Sequence, residues 1–150
     1  MAIELKPPEQ IVGHDGLQPG TILVVDDEAD IVNLIRDTLE MAGYAVCGTT
    51  SAQHGLEVYR DNWPKIVMVL ADLAMPAIRG DRLYEYFRAI NPKVHFILVT
   101  GYVAAEVESL IQERQIGVLP KPFHLEELVQ KIRATIASPM PLATRRPHVS

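Results

Sequence analysis

Residues 21–27 read Thr21-Ile22-Leu23-Val24-Val25-Asp26-Asp27, an unbroken apolar run that ends in two carboxylates. Because polar residues do not alternate with the apolar ones, the run predicts a strand that is buried on both faces. Four more runs of this kind follow, so that strands are expected at about 21–26, 44–48, 65–71, 94–99 and 116–119. Segments of helical period separate them. This alternation predicts an α/β domain in which helices cover both faces of a parallel sheet.

A helix is expected after each strand. Gly43 stands where the first helix should end, since glycine suits the residue that follows a helix. The apolar positions that repeat at helical spacing are Ile31, Leu34, Ile35 and Leu39, then Ala52, Leu56 and Tyr59, then Leu83, Phe87 and Ile90, then Val107, Leu110 and Ile111, and finally Leu125, Leu128, Val129, Ile132 and Ile136. The chain is therefore predicted to form five β-α units.

Composition excludes several classes of protein. The chain has 150 residues, 48% of them hydrophobic and 22% charged, which is typical of a globular domain. The net charge of −5 and a single adjacent basic pair, Arg145-Arg146, argue against direct nucleic-acid binding. No apolar run approaches the roughly 18 residues of a membrane span, and no signal peptide is visible, so a cytoplasmic protein is expected. The one cysteine, Cys47, is predicted to be a reduced thiol in the core.

The two ends of the chain are expected to be tails. Six of the eleven prolines fall in residues 1–20 and 138–150, where no apolar periodicity is visible. The predicted organisation is an N-terminal tail or linker at 1–20, one domain at 21–137 and a C-terminal tail at 138–150. No attached output domain is expected.

Polar side chains follow four of the predicted strands. Asp26-Asp27 ends the first, Asp72 the third, Thr100 the fourth, and Lys121 follows the fifth. Ligands of open parallel sheets bind beyond the carboxyl ends of the strands, so these side chains are expected to meet there. Three clustered carboxylates repel one another unless a cation balances them, and Mg²⁺ together with Lys121 supplies the three positive charges required.

Each of these fragments alone has an ordinary structural explanation. Asp26-Asp27 can cap a helix, and Asp72, Thr100-Gly101 and Lys121-Pro122 can each belong to a turn or a solvated loop. Coincidence would have to place all of them at matching strand ends, which favours a common site. The five histidines have no metal-ligand spacing with one another or with Cys47, so a zinc or iron site is not expected.

The chain resembles the receiver domain of response regulators in bacterial two-component signalling. The resemblance spans about 21–137 and rests on four fragments: Ile22-Leu23-Val24-Val25-Asp26-Asp27-Glu28, Asp72-Leu73-Ala74-Met75-Pro76 with Gly80, Leu98-Val99-Thr100-Gly101, and Leu119-Pro120-Lys121-Pro122-Phe123. It implies a flavodoxin-like (βα)5 fold with strand order 2-1-3-4-5.

The resemblance also implies a role for each site residue. Asp72 would take a phosphoryl group from the phosphohistidine of a histidine kinase or phosphotransfer protein. Asp27, Asp72 and the backbone carbonyl of Ala74 would bind Mg²⁺, and Asp26 would act through a water on the metal. Lys121 and Thr100 would contact the phosphoryl oxygens, and the Lys121-Pro122 bond would be cis.

The leading interpretation is a phosphorylation-switched signalling module, either stand-alone or once joined to a hybrid kinase. It would not be an enzyme beyond its own phosphorylation and dephosphorylation. Two alternatives stay open: a small Mg²⁺-dependent phosphohydrolase with Asp72 as nucleophile, and a degenerate receiver that only scaffolds partners.

One position departs from the family pattern. Receivers commonly carry Tyr or Phe three residues before the lysine, where this chain has Val118. A downstream partner is expected on the face formed by the fourth predicted helix, the fifth strand and the fifth predicted helix. Val118 predicts a weaker switch there, and Tyr102 is a candidate for part of the missing role.

Overall fold

The computed structural model describes residues 17–101, 108–109, 112–113 and 116–137. Its strands are β1 (Thr21–Val25), β2 (Ala45–Thr49), β3 (Ile66–Asp72), β4 (Phe96–Thr100) and β5 (Gly117–Pro120). Its helices are α1 (Ala29–Met41), α2 (Ala52–Asn62), α3 (Gly80–Ile90) and α4 (Leu125–Ala137), with a short 3-10 turn at Trp63–Lys65. Every predicted strand is present, and its limits differ from the prediction by no more than two residues. The apolar positions of the remaining predicted helix, Val107, Leu110 and Ile111, lie outside the described residues.

The five strands form one sheet in the order β2-β1-β3-β4-β5, and all neighbouring pairs are parallel. This confirms the predicted flavodoxin-like architecture. Val25 at the end of β1 pairs with Thr49 on one side and Ala71 on the other. Thr100 pairs with Pro120. The carboxyl ends of the strands therefore lie along one edge of the sheet.

The core consists of two clusters, one on each face of the sheet. Alternate residues of a strand point to opposite faces, so Leu23 and Val25 enter the first cluster, whereas Ile22 and Val24 enter the second. The first cluster is covered by α2 and α3, where the rings of Tyr59 and Phe87 stack at 4.4 Å between centroids. The second is covered by α1 and α4 through Ile35, Leu39, Leu128 and Ile132.

The buried faces of α1 and α4 differ in detail from the predicted ones. Leu34 is 44% exposed, and Val32 instead completes the buried stripe with Ile35 and Leu39. Leu125 is 43% exposed because it is the first residue of α4, beyond the part of the helix that covers the sheet. Both leucines belong to the predicted apolar stripes of their helices, but neither is buried in the core.

Two residues fix the ends of the first β-α unit. Leu17, which falls in the predicted N-terminal tail, is 8% exposed and packs in the first cluster, so the packed core begins before residue 21. Gly43 has a φ of +99°, which glycine adopts without steric cost. Its N–H binds the carbonyl of Glu40 and the N–H of Tyr44 binds that of Leu39, the pair of bonds that closes a helix of this kind.

Cys47 is buried on β2, and burial raises the pKa of its thiol to about 11, as suits a core residue. Within the described part of the chain, the helices are too short or too polar for any of them to cross a bilayer.

Candidate functional site

The candidate site lies where β1, β3 and β5 end. Asp26 follows β1 directly and is 1% exposed, while its neighbour Asp27 is exposed. Asp72 is the last residue of β3 and is 7% exposed. Ligand oxygens of the three carboxylates lie within 4.8 Å of one another. The predicted convergence of these residues is therefore present in the structure.

Lys121 joins two of the carboxylates. Its Nζ lies 3.2 Å from Oδ2 of Asp26 and 3.5 Å from Oδ1 of Asp72. The other carboxylate oxygen of Asp26, Oδ1, accepts a hydrogen bond of 2.9 Å from the N–H of Glu28 at the start of α1. One ammonium thus faces three carboxylates, which leaves two negative charges unbalanced. Hard oxygen ligands with this excess charge fit a divalent cation such as Mg²⁺.

The protonation equilibria of Asp26 and Lys121 reflect this crowding. Burial raises the pKa of Asp26, although the Glu28 N–H and the charge of Lys121 act in the opposite direction. Burial lowers the pKa of Lys121, but the charges of Asp26 and Asp72 outweigh it, so the pKa of the ammonium is raised on balance. Lys121 therefore stays charged at neutral pH.

The remaining predicted site residues lie at the same edge. Thr100 ends β4 and is buried, and its carbonyl accepts a 2.9 Å hydrogen bond from the N–H of Lys121. Ala74 is exposed in the segment that follows β3, two residues beyond Asp72. The Lys121-Pro122 peptide bond is cis, as predicted.

Gly80 allows α3 to begin directly against the site. A Cβ at this position would clash with the backbone oxygen of Asp72 and would lie 2.9 Å from Cδ2 of Leu98. The N–H of Gly80 also binds the carbonyl of Leu73 at 2.9 Å, which closes the segment between β3 and α3. Any side chain here would displace either the helix or Asp72. The sequence offered Gly80 only as part of a motif, whereas the structure supplies its physical reason.

The turn between β2 and α2 also borders the site, which sequence reasoning missed. The Nδ1 atom of His54 lies 3.4 Å from Oγ1 of Thr49, the last residue of β2. The carbonyl of Thr49 in turn accepts a 3.2 Å bond from the N–H of Asp26. The sequence signal was Ser51, a helix-capping residue just after the strand, which places the first turn of α2 at this edge.

Comparison with known proteins gives the same assignment. The family model described as response regulator receiver domain matches residues 22–133. The chain belongs to this family. It is thus a receiver domain of the kind found in two-component response regulators, a signalling domain rather than a conventional enzyme.

Several curated proteins are similar to this receiver domain in sequence. The response regulator receiver protein CpdR of Brucella abortus is 32% identical over 113 residues, which cover 74% of this chain and 92% of CpdR. The sensor kinase CckA of the same species is 33% identical over 116 residues, and DctD, a C4-dicarboxylate transport transcriptional regulatory protein of Rhizobium meliloti, is 31% identical over 116. The matched part is only 12% of CckA and 24% of DctD.

Solved structures show the same fold. A receiver domain protein from Clostridium thermocellum superposes with a TM-score of 0.74 at 28% identity and covers 79% of this chain and 94% of its own. A CheY-like receiver domain protein from Methanospirillum hungatei also gives 0.74, at 26% identity, over 80% of this chain and 95% of that one.

Proposed function

We propose that this receiver domain is a phosphorylation-dependent switch in which Asp72 accepts a phosphoryl group in a Mg²⁺-dependent reaction. The observation that carries the proposal is the placement of Asp72, which lies with Asp26 and Asp27 within 4.8 Å and has Lys121 at 3.5 Å. A carboxylate that attacks phosphorus needs both its negative charge and nearby positive charge for the phosphoryl oxygens. This edge of the sheet supplies the two together.

The donor is a phosphohistidine of a histidine kinase or phosphotransfer protein. A carboxylate oxygen of Asp72 attacks the phosphorus atom and forms a new P–O bond. The P–N bond breaks, and its electron pair stays on the leaving imidazole nitrogen. The product is an aspartyl phosphate on Asp72, and transfer to water later returns the free carboxylate.

Lys121 and Thr100 act on the phosphoryl oxygens. The Lys121 ammonium, already held between Asp26 and Asp72, neutralises part of the charge that the phosphoryl group brings. Thr100 ends the neighbouring strand, and its hydroxyl donates a hydrogen bond to the group once it is attached. Movement of Thr100 toward the phosphoryl group transmits the change to the rest of the domain.

Asp27, Asp72 and the Ala74 carbonyl would hold Mg²⁺ directly, with Asp26 close by. When bound, the ion neutralises the excess carboxylate charge and the developing phosphoryl charge. The assignment to the cytoplasm and the absence of direct nucleic-acid contact remain predictions.

Intact mass after incubation with acetyl phosphate or phosphoramidate and Mg²⁺ tests the proposal. The wild-type protein should gain one phosphoryl group, and Asp72→Asn should gain none. Asp27→Ala should need at least tenfold more Mg²⁺ for half-maximal labelling, because a direct ligand is lost. Asp37→Asn, an exposed carboxylate on α1, is the matched control and should label like the wild type.

Equal labelling of wild type and Asp72→Asn would rule out Asp72 as the acceptor. Sustained release of phosphate from phosphomonoesters by the wild type would instead favour a phosphohydrolase.

A further inference from the structure

The turn after β2 braces the buried carboxylate of the site. Val25, the residue before Asp26, pairs with Thr49 across the two strands. One residue further, the N–H of Asp26 donates to the carbonyl of Thr49 at 3.2 Å, although Asp26 is no longer part of the strand. The backbone of Asp26 is thus held from β2, and its carboxylate is held by Glu28 and Lys121.

The hydroxyl of Thr49 fixes the turn from which this bond comes. Thr49 is 5% exposed, and its Oγ1 accepts a 3.1 Å hydrogen bond from the N–H of Ser51. The hydroxyl proton faces two acceptors, the carbonyl of Ser51 at 3.5 Å and Nδ1 of His54 at 3.4 Å. A neutral imidazole with its proton on Nε2 accepts at Nδ1. The side chain of Thr49 therefore ties its own backbone to the first turn of α2.

Helix α2 is itself anchored at this edge. Ser51 caps the helix by accepting a 3.0 Å bond from the N–H of His54. Gly55 lets the helix approach β1, since a Cβ there would lie 2.9 Å from Cγ2 of Val25. His54 thus stands on a turn that is held on both sides, which gives the Thr49 hydroxyl a fixed partner.

We propose that Thr49 is a positioning residue for the acidic site, and that His54 assists it by accepting the Thr49 hydroxyl. Thr49 touches neither the phosphoryl group nor the ion. Its hydroxyl holds the turn, its carbonyl holds the Asp26 backbone, and the Asp26 carboxylate then meets Lys121 in the correct orientation. The consequence for Mg²⁺ affinity rests on the proposed function, whereas the effect on Asp26 itself does not.

Four variants of the full chain test this inference. Thr49→Val removes the hydroxyl but keeps the shape, Thr49→Ser restores the hydroxyl, and His54→Ala removes one acceptor. Leu17→Ala is the control for general stability, because Leu17 packs in the first cluster before β1 begins, away from the turn after β2. It should lower the melting temperature by about 5 °C without affecting the site.

Two measurements distinguish positioning from general stability. In metal-free protein, amide exchange at Asp26 should be about tenfold faster in Thr49→Val than in wild type and unchanged in Leu17→Ala. In a Mg²⁺ titration followed by amide chemical shifts, the Kd should rise about threefold to tenfold in Thr49→Val and about twofold in His54→Ala. Thr49→Ser should stay within twofold of wild type in both measurements.

Equal exchange at Asp26 in Thr49→Val and Leu17→Ala would overturn the inference, as would failure of Thr49→Ser to restore the wild-type rate. If the wild type bound no Mg²⁺, the proposed function would fail, and the metal-free exchange rates would still decide the role of Thr49.

Discussion

At the residue scale, the buried carboxylates of the site lower the stability of the fold. Asp26 and Asp72 are both buried, and Lys121 is the only described cation that contacts them. Burial of an ionised carboxylate is unfavourable unless it is paired and hydrogen-bonded, and here two buried carboxylates share one ammonium, with the exposed Asp27 close by. The metal-free domain therefore keeps an arrangement that favours cation binding at the expense of its own stability.

The stability of the domain should depend on pH through Asp26. Burial raises the pKa of this residue above the ordinary 3.8. Between 3.8 and the raised value, the unfolded chain has lost this proton and the folded chain still holds it. The contribution of Asp26 to the free energy of unfolding should therefore decrease as the pH rises through that window. Urea denaturation of metal-free protein at a series of pH values measures this dependence. The slope of the free energy of unfolding against pH should be less negative in Asp26→Asn than in wild type.

Asp37→Asn, exposed on α1, controls for the loss of one negative charge. An identical slope in wild type and Asp26→Asn would show that Asp26 does not hold its proton in this window.

The sequence predicted some site residues and missed others for a physical reason. Asp26, Asp72 and Lys121 could be predicted because each follows a strand, and parallel strands end at one edge. Thr49 and His54 could not, because their contact depends on the register of β2 against β1 and on the conformation of the turn. The apolar periodicity of the sequence predicts neither this register nor the conformation of the turn.

At the scale of whole elements, strand β5 contains Val118, the residue that departs from the family pattern. Val118 pairs with Leu98 of β4, is half-buried and packs against the first cluster. The apolar pattern of the sequence predicted the limits of β5 to within a residue. It could not predict which leucines at the edge of the apolar stripe of a helix stay exposed. Leu34 and Leu125 show this, since helix orientation on the sheet decides their burial.

We expect Val118 to limit the response of the face that includes β5 and α4. Valine has one stiff torsion and no hydroxyl, so it cannot exchange between a buried and an exposed pose as a tyrosine does. Beryllofluoride, a mimic of the phosphoryl group, should shift amide signals of residues 103–130 less in wild type than in Val118→Tyr. The coupling free energy in the wild type should fall below the usual range of about 1–3 kcal/mol.

Thr100→Ala in both backgrounds is the control, because it should remove the response that starts at the end of β4. An equally strong response in wild type and Val118→Tyr would contradict the expectation. The proposed contribution of Tyr102 lies outside the described residues.

At the scale of the whole molecule, the two clusters define which part of the chain is needed for folding. Both extend across the sheet, and the second includes residues of α4 up to Ile136. On the N-terminal side, Leu17 extends the first cluster beyond the predicted start at residue 21. The sequence did not predict the burial of Leu17, because a single leucine among prolines and polar residues gives no periodic apolar pattern.

Truncation should therefore reveal a sharp limit between residues 17 and 21. A protein of residues 17–137 should keep the free energy of unfolding of the full chain to within about 1 kcal/mol, because ordering Pro-rich tails costs more than it returns. A protein of residues 21–137 should lose about 2 kcal/mol, since it lacks the buried Leu17 side chain and the bond from Thr21 Oγ1 to the carbonyl of Gln18.

Urea denaturation measures both differences, and Leu17→Ala in the full chain is the matched control, with an expected loss of about 2 kcal/mol. Agreement between Leu17→Ala and the shorter protein would assign the loss to the leucine rather than to the length of the chain. If residues 17–137 alone already lost more than about 2 kcal/mol, one of the removed ends would have to pack on the domain or on a second copy of it. The dependence of the unfolding midpoint on protein concentration separates these two cases, because only contacts between copies strengthen with concentration.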